Sequence, residues 1–311
     1  MKGEFAISKF GYIAFNKDII LEETIEEVIE EEVVKLSWFD RFKKDKKDKK
    51  DKKLKKEEIK IDITLKEIEN TEAEGYNVIV QKPYNSINEK EWAKIEEILI
   101  QNNILHLALQ DKNDKPLFNA IDVYDGNRIN ALLAGRLFRY VHKYKLTHTK
   151  SIYTKVALIS GPILLTLDAL IPLAECVTDL TLLTTIPESY KEIVLDIYKD
   201  TKLKINLMYP NPTTLNQMNL IYDLSGDERY VNFCNAKSTF ICLTQPNKDY
   251  KIKSLGPNIW YKFDLIWQKK EVTADFIEAV LMSAGYTKSI LRKKIDEFKI
   301  DIKQVHTKSI S

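Results

Sequence analysis

The turn Ser160-Gly161-Pro162-Ile163 closes one apolar run, KVALIS at 155–160, and opens another, ILLTLDALIPLAECV at 163–177. A glycine at such a joint lets backbone N–H groups approach a phosphate at a helix N-terminus. Dinucleotide chemistry asks for three glycines there, and for an acidic residue about 20 positions on to hold ribose hydroxyls. This sequence has one glycine, Pro162 removes a donor N–H, and the second strand ends in Thr184-Thr185 instead of an acid. Both halves of the pattern fail, so neither NAD nor NADP is expected. A small ligand can still sit at the carboxyl ends of the strands, where open α/β sheets place their sites. The residues expected on that rim are Ser160, Gly161, Thr184, Thr185, Asp223, Ser225 and Gly226.

Other reactive groups are dispersed. His142 and His148 lie six apart, which misses the i,i+4 spacing of a helical metal pair, and His106 and His306 stand alone. No metal site is expected, and His106, flanked by Leu105 and Leu107, reads as a structural histidine. Cys176, Cys234 and Cys242 form no CxxC pair; Cys176 and Cys242 lie in apolar runs and read as buried thiols of a reducing cytoplasm. There is no GxxxxGK[ST] phosphate loop and no GxSxG elbow, so no catalytic residue is assigned.

The elements that must position the rim follow from periodicity. Alternating strand and helix runs from 150 to 270, with near-continuous apolar strands, predict a parallel sheet covered on both faces. The fold class expected is α/β, with a Rossmann-like, open, mostly parallel sheet in the C-terminal half. A capping box, Thr185-x-x-Glu188, is expected before the helix that follows the second strand. The segment 59–149 reads as a smaller α/β region, in which Ala131, Ala134 and Gly135 permit close helix packing. Residues 1–42 read as a strand or hairpin plus an acidic amphipathic helix, 43–58 as a lysine-rich linker, and 271–311 as a helical tail.

Charge is distributed in blocks. Seven glutamates lie within 22–32, and ten lysines with three aspartates lie within 43–56, so −7 is followed by +7 in a chain of net +2. Balanced blocks favour intrachain pairing or a solvated linker over a grip on nucleic acid or an anionic membrane. Trp38, Phe39 and Phe42, beside the lysines, are the candidate partner or membrane surface, with peripheral membrane contact over 38–56. No apolar run is long enough to span a bilayer, and a cytoplasmic location is expected. The abundance of Lys, Glu, Ile and Asn suggests an AT-rich, bacterial coding sequence.

At the end of the chain, GYTKSILRKKIDEFKI (285–300) resembles the turn and recognition helix of a Fis-type helix-turn-helix: a glycine turn, Leu291, Ile295 and Ile300 at the motif's apolar spacings, and Arg292, Lys293 and Lys294 to face phosphates. The resemblance implies DNA binding through the tail. The preferred reading is a binding or regulatory protein, more a binder than an enzyme, acting by protein–protein association or self-association. Its alternatives are an NAD(P)-dependent oxidoreductase with an atypical phosphate turn, and a DNA-binding protein using the tail.

Overall fold

A computed structural model describes residues 9–15, 61–67, 73–109, 118–144, 146–147, 149–244 and 257–308. Trp38, Phe39, Phe42, the segment expected to form the acidic helix and the lysine run lie outside the described residues, as does His148. The chain packs as two compact units, 1–124 with 279–286 and 125–278 with 287–311.

In the first unit, β1 (Lys9–Phe15), β2 (Ile61–Glu67), β3 (Glu74–Val80), β4 (Ile104–Leu109) and β5 (Asp122–Tyr124) form one sheet in the order β2-β3-β1-β4-β5. β1 is parallel to β3 and to β4, and β4 to β5, while β2 runs antiparallel on the edge. The boundary drawn between 1–42 and 59–149 therefore does not hold. Lys9–Phe15 is one continuous strand, not a hairpin, and it lies in the middle of the sheet.

Helix α1 (Glu89–Gln101) starts at a capping box: Asn88 Oδ1 accepts from the N–H of Lys90 and Glu91, and the Glu91 carboxylate accepts from Asn88 N–H. Reciprocal capping of this kind satisfies donors that the first turn leaves open. One turn apart on the same face, Ile95 and Leu99 are fully buried.

The second unit begins with α2 (Asn127–Leu132) and α3 (Ala134–Lys143). It then alternates through β6 (Lys155–Ile159), α4 (Ile163–Ala174), β7 (Asp179–Leu183), α5 (Lys191–Thr201), β8 (Ile205–Met208), α6 (Pro212–Asn216), β9 (Leu220–Asp223), β10 (Thr239–Cys242) and β11 (Asn258–Trp267). Strands β8-β7-β6-β9-β10-β11 lie side by side in that order, every neighbouring pair parallel. Numbered from β6, the order is 3-2-1-4-5-6, the doubly wound Rossmann arrangement; the parallel, Rossmann-like class agrees with what the apolar strands predict.

One face of this sheet is covered by α4, which packs against α2, α3 and α5. The close approach of α3 and α4 needs Gly135, where a Cβ would lie 2.5 Å from the Pro172 carbonyl oxygen. On the other face, Leu215, Met218 and Val231 cover Ala157, Ile159, Ile221 and Phe240.

The chain closes with β12 (Lys270–Val272), α7 (Ala274–Ser283), α8 (Leu291–Glu297) and β13 (Asp301–Lys308). β13 runs antiparallel to β11 and extends the sheet, so the expected helical tail ends in a strand. Leu291 and Ile295 are buried, Arg292 pairs with Glu175, and Lys293 and Lys294 pair with Glu297. The cations expected to face phosphates thus already have acidic partners in this fold. Among the described residues, no helix is long and apolar enough to cross a membrane.

Candidate functional site

The strand order reverses direction between β6 and β9, and there the chain leaves the two strands towards opposite faces of the sheet. A crevice opens outside the carboxyl ends of strands at such a point. Ile159 and Asp223 are in register across it, and Leu224 N–H donates to Ile159 O at 3.1 Å.

On the β6 side, Ser160 N–H donates to Leu183 O at 2.9 Å and fixes the turn against β7. Gly161 is required by proximity: a Cβ there would stand 2.3 Å from the Leu224 carbonyl oxygen. Its N–H is held by Thr166 Oγ1 at 3.1 Å. Pro162 is the N-cap of α4, and no side chain caps the helix. The amides of Ile163, Leu164 and Leu165 are therefore left open at the end of a 12-residue helix, whose dipole favours negative charge. Ile163 is 41% exposed and Leu164 63% exposed.

On the β7 side, Thr184 is buried and Thr185 exposed. The expected capping box is absent. Thr184 Oγ1, not Thr185, accepts an N–H, from Ile186 at 3.2 Å. Pro187–Tyr190 form a 3-10 turn before α5, and Glu188 pairs with Lys191 at 2.5 Å. The reason is geometric: the tighter 3-10 turn moves the third residue away from a Thr185 cap.

On the β9 side lies a buried carboxyl. Asp223 is fully buried, and its Oδ1 accepts from Ser225 N–H at 2.9 Å and Ser225 Oγ at 2.6 Å. Its Oδ2 is buried and has no hydrogen-bond partner among the described residues. Burial pushes the carboxyl up from 3.8 to about 6, against the pull of the Ser225 hydroxyl and the Ser225 and Gly226 amides. Gly226 turns the chain with φ 66°. Burial, then Asp223, pushes the Cys234 thiol up to about 12, which makes it a poor nucleophile.

All seven expected rim residues thus fall along the carboxyl edge of β6, β7 and β9. Sequence reasoning missed Thr244, which follows β10. Its Oγ1 is also buried without a partner among the described residues, and it lies 3.8 Å from where a Cβ on Gly226 would be. The available signal was a hydroxyl closing the otherwise apolar strand TFICLT.

Two other places bring reactive side chains together. His106 Nδ1 meets the Tyr124 hydroxyl at 2.9 Å, and burial lowers its pKa, as suits a structural histidine. A cleft of about 180 Å³ lies at the far end of α4, beside Arg136, Arg139, Glu175, Cys176, Arg292 and Asp296. Two of its three arginines are spent on Asp296 and Glu175, and Cys176 is only half-buried, with its thiol raised first by burial. It is better formed as a void than as a site. Among the described residues, no three His, Cys, Asp or Glu side chains are grouped to hold a metal ion.

A nicotinamide dinucleotide fits this rim in part. The uncapped amides of α4 and the close-packed Gly161 suit a pyrophosphate, and the unpartnered polar atoms at β9 and β10 suit ligand donors. Pro162 costs one donor, and no carboxylate ends β7.

No protein-family model matches the chain, and no curated protein is similar to it. Solved structures with partial likeness include the Δ1-pyrroline-2-carboxylate reductase of Thermococcus litoralis with NADH and L-proline, at 11% identity and TM-score 0.27, covering 36% of each chain. The quinate dehydrogenase of Corynebacterium glutamicum with NAD shares 8% identity at TM-score 0.32, over 70% of this chain and 88% of that one. A shikimate dehydrogenase with NADP+ shares 10% at TM-score 0.32, over 71% and 85%. At these values the likeness concerns the fold alone.

The expectation of a non-catalytic, cofactor-free regulatory or binding protein is corrected. The strand order is the doubly wound one that dinucleotide-binding domains share. Missing glycines and a missing acid describe the motif alone; the backbone donors left open at α4 are a property of the fold.

Proposed function

We propose that the chain is an NAD(P)-dependent oxidoreductase whose second unit binds the dinucleotide across the β6/β9 crevice. The observation that carries this reading is the reversal of strand order at β6/β9, with the uncapped N-terminus of α4 beside it. The amides of Ile163, Leu164 and Leu165 bind the pyrophosphate, and Gly161 keeps side-chain bulk out of its approach. Thr184 and Thr185 flank the adenosine ribose with hydroxyls in place of a carboxylate. The bound nicotinamide supplies hydride transfer; the chain supplies binding and orientation. With no carboxylate at the end of β7 to repel a 2′-phosphate, NADP is admitted as readily as NAD.

A thermal-shift titration of the full chain with NAD(H) and NADP(H) tests the reading. A saturable rise in Tm is expected, because a ligand that binds only the folded state stabilises it by mass action. Leu164→Glu places a like charge beside the pyrophosphate on an exposed position. It is expected to weaken binding at least tenfold while leaving the ligand-free Tm unchanged or slightly raised, since the helix dipole favours the new charge. No concentration-dependent shift with any of the four nucleotides would sink the proposal.

A further inference from the structure

The acid that a dinucleotide domain places at the end of its second strand is missing here, yet a buried carboxyl stands at the end of the fourth strand, across the crevice. Asp223 Oδ1 accepts from the Ser225 N–H and hydroxyl, and the Gly226 amide lies close enough to favour the charged carboxyl, while Oδ2 is buried and makes no well-formed hydrogen bond among the described residues. Thr244 Oγ1 is in the same condition one strand over. The two are held at one place on the rim. Cys242 and Asp223 are in register between β10 and β9, and Leu243 N–H donates to Asp223 O at 2.9 Å. Asn130 of α2 fixes the same corner by donating to Leu243 O at 3.2 Å. A buried acceptor without a donor is costly, so native folds leave one where something else supplies the proton.

We infer that Asp223 Oδ2 and Thr244 Oγ1 are a paired acceptor site for a donor-bearing part of the ligand: a sugar diol or a carboxamide NH2, on the nicotinamide side of the crevice. This rests on the reading of the domain as a nicotinamide nucleotide binder, and it adds where the polar specificity lies. The carboxylate that recognises ligand donors then stands at the end of the fourth strand, while the end of the second offers only the Thr184 and Thr185 hydroxyls. Asp223 is a binding residue in this account, working as the ionised carboxylate.

The pH dependence follows from the groups around it. Those that bear on Asp223 are Asp227, Tyr230 and Cys234, all from the segment after β9. Arg229 holds Asp227 below its ordinary value, so it stays ionised, while burial raises Tyr230 and Cys234, so both stay neutral. Asp223 is then the group of this cluster that changes charge between pH 5 and 7.5. Protonation at Oδ2 turns it from an acceptor into a donor, which then faces the ligand's own donor.

The test is calorimetric titration of the full-length chain with NAD+ and NADP+ at pH 5.0 and 7.5, for the native protein, Asp223→Asn and Thr244→Val. Native affinity is expected to be about tenfold weaker at pH 5.0, since about a tenth of a group with pKa near 6 is ionised there. Asp223→Asn should bind at least tenfold more weakly at pH 7.5 and lose the pH dependence. Thr244→Val, nearly isosteric, should weaken binding severalfold and keep it. Binding that is flat in pH and unchanged in both variants would overturn this inference and leave the proposed function standing. Absence of binding by either nucleotide at both pH values would overturn both.

Discussion

The two units use the same kind of sheet and finish its edge in opposite ways. In the first, the carboxyl edge is closed by rings. Phe15, the last residue of β1, packs edge-on against Tyr84 and Trp92 at 5.2 and 5.4 Å, and Trp92 against Phe118 at 5.6 Å. In the second, the corresponding edge carries hydroxyls, open amides and a buried carboxyl with an unused oxygen. Parallel strands in a suitable order therefore do not make a site by themselves. What decides is whether the residues closing the strands satisfy one another, as rings do, or leave polar valence over, as Asp223 does.

Three substitutions press on this contrast. The largest effect is expected from Phe15→Ala, which removes a ring that is 2% exposed from the closed edge. Loss of a buried phenylalanine costs about 3–5 kcal/mol, read as a fall in denaturation midpoint. A loss below about 1 kcal/mol would mean that the rings do not close the edge.

Next is Asp223→Asn, where the open edge predicts the opposite sign. The folded carboxyl lies near 6 and the ordinary value is 3.8. A raised acid is neutral in both states below about 3.8, so it costs nothing there. As pH rises from 3.8 to 6 the unfolded chain loses its proton first, so stability falls, and the cost is complete above 6. Removing the charge should therefore stabilise the ligand-free protein by about 1–3 kcal/mol at pH 7.5 and by almost nothing at pH 3.5. A variant that folds more stably while binding nucleotide more weakly is the mark of a site, and equal stability at both pH values would contradict it.

The smallest effect is expected from Thr184→Val, which deprives the Ile186 N–H of its acceptor and should cost about 1 kcal/mol. If Thr184 also lines the adenosine ribose, nucleotide affinity falls with it; stability alone changing would confine Thr184 to the turn.

The sequence was legible where one interaction dominates. Apolar strands of four to seven residues separated by helical periods announce a parallel sheet, because only burial on both faces tolerates them. The strand ends beside which the seven residues lie were legible for the same reason, since the carboxyl end of each strand could be read from where its apolar run stops. Thr185 and Glu188 fit a capping box in sequence but not in space, because S/T-x-x-E also fits a 3-10 entry and only backbone geometry separates the two. Lys9–Phe15 was set apart from its sheet because strand pairing over long sequence separation leaves no local trace. β13 was missed for the same reason: DIKQVHTK alternates only weakly, and its place is set by β11 beside it.

By itself, then, the sequence determined the alternation of elements, the α/β class and the residues that end each strand. These follow from hydrophobic period and turn chemistry, which act over a few residues. Tertiary structure alone decided which strand lies beside which, and hence where the order reverses. It also decided that the α4 amides stay uncapped and that Asp223 is buried with one oxygen unspent. Whether a polar atom is satisfied depends on neighbours from other strands, and that is information the chain acquires only on folding.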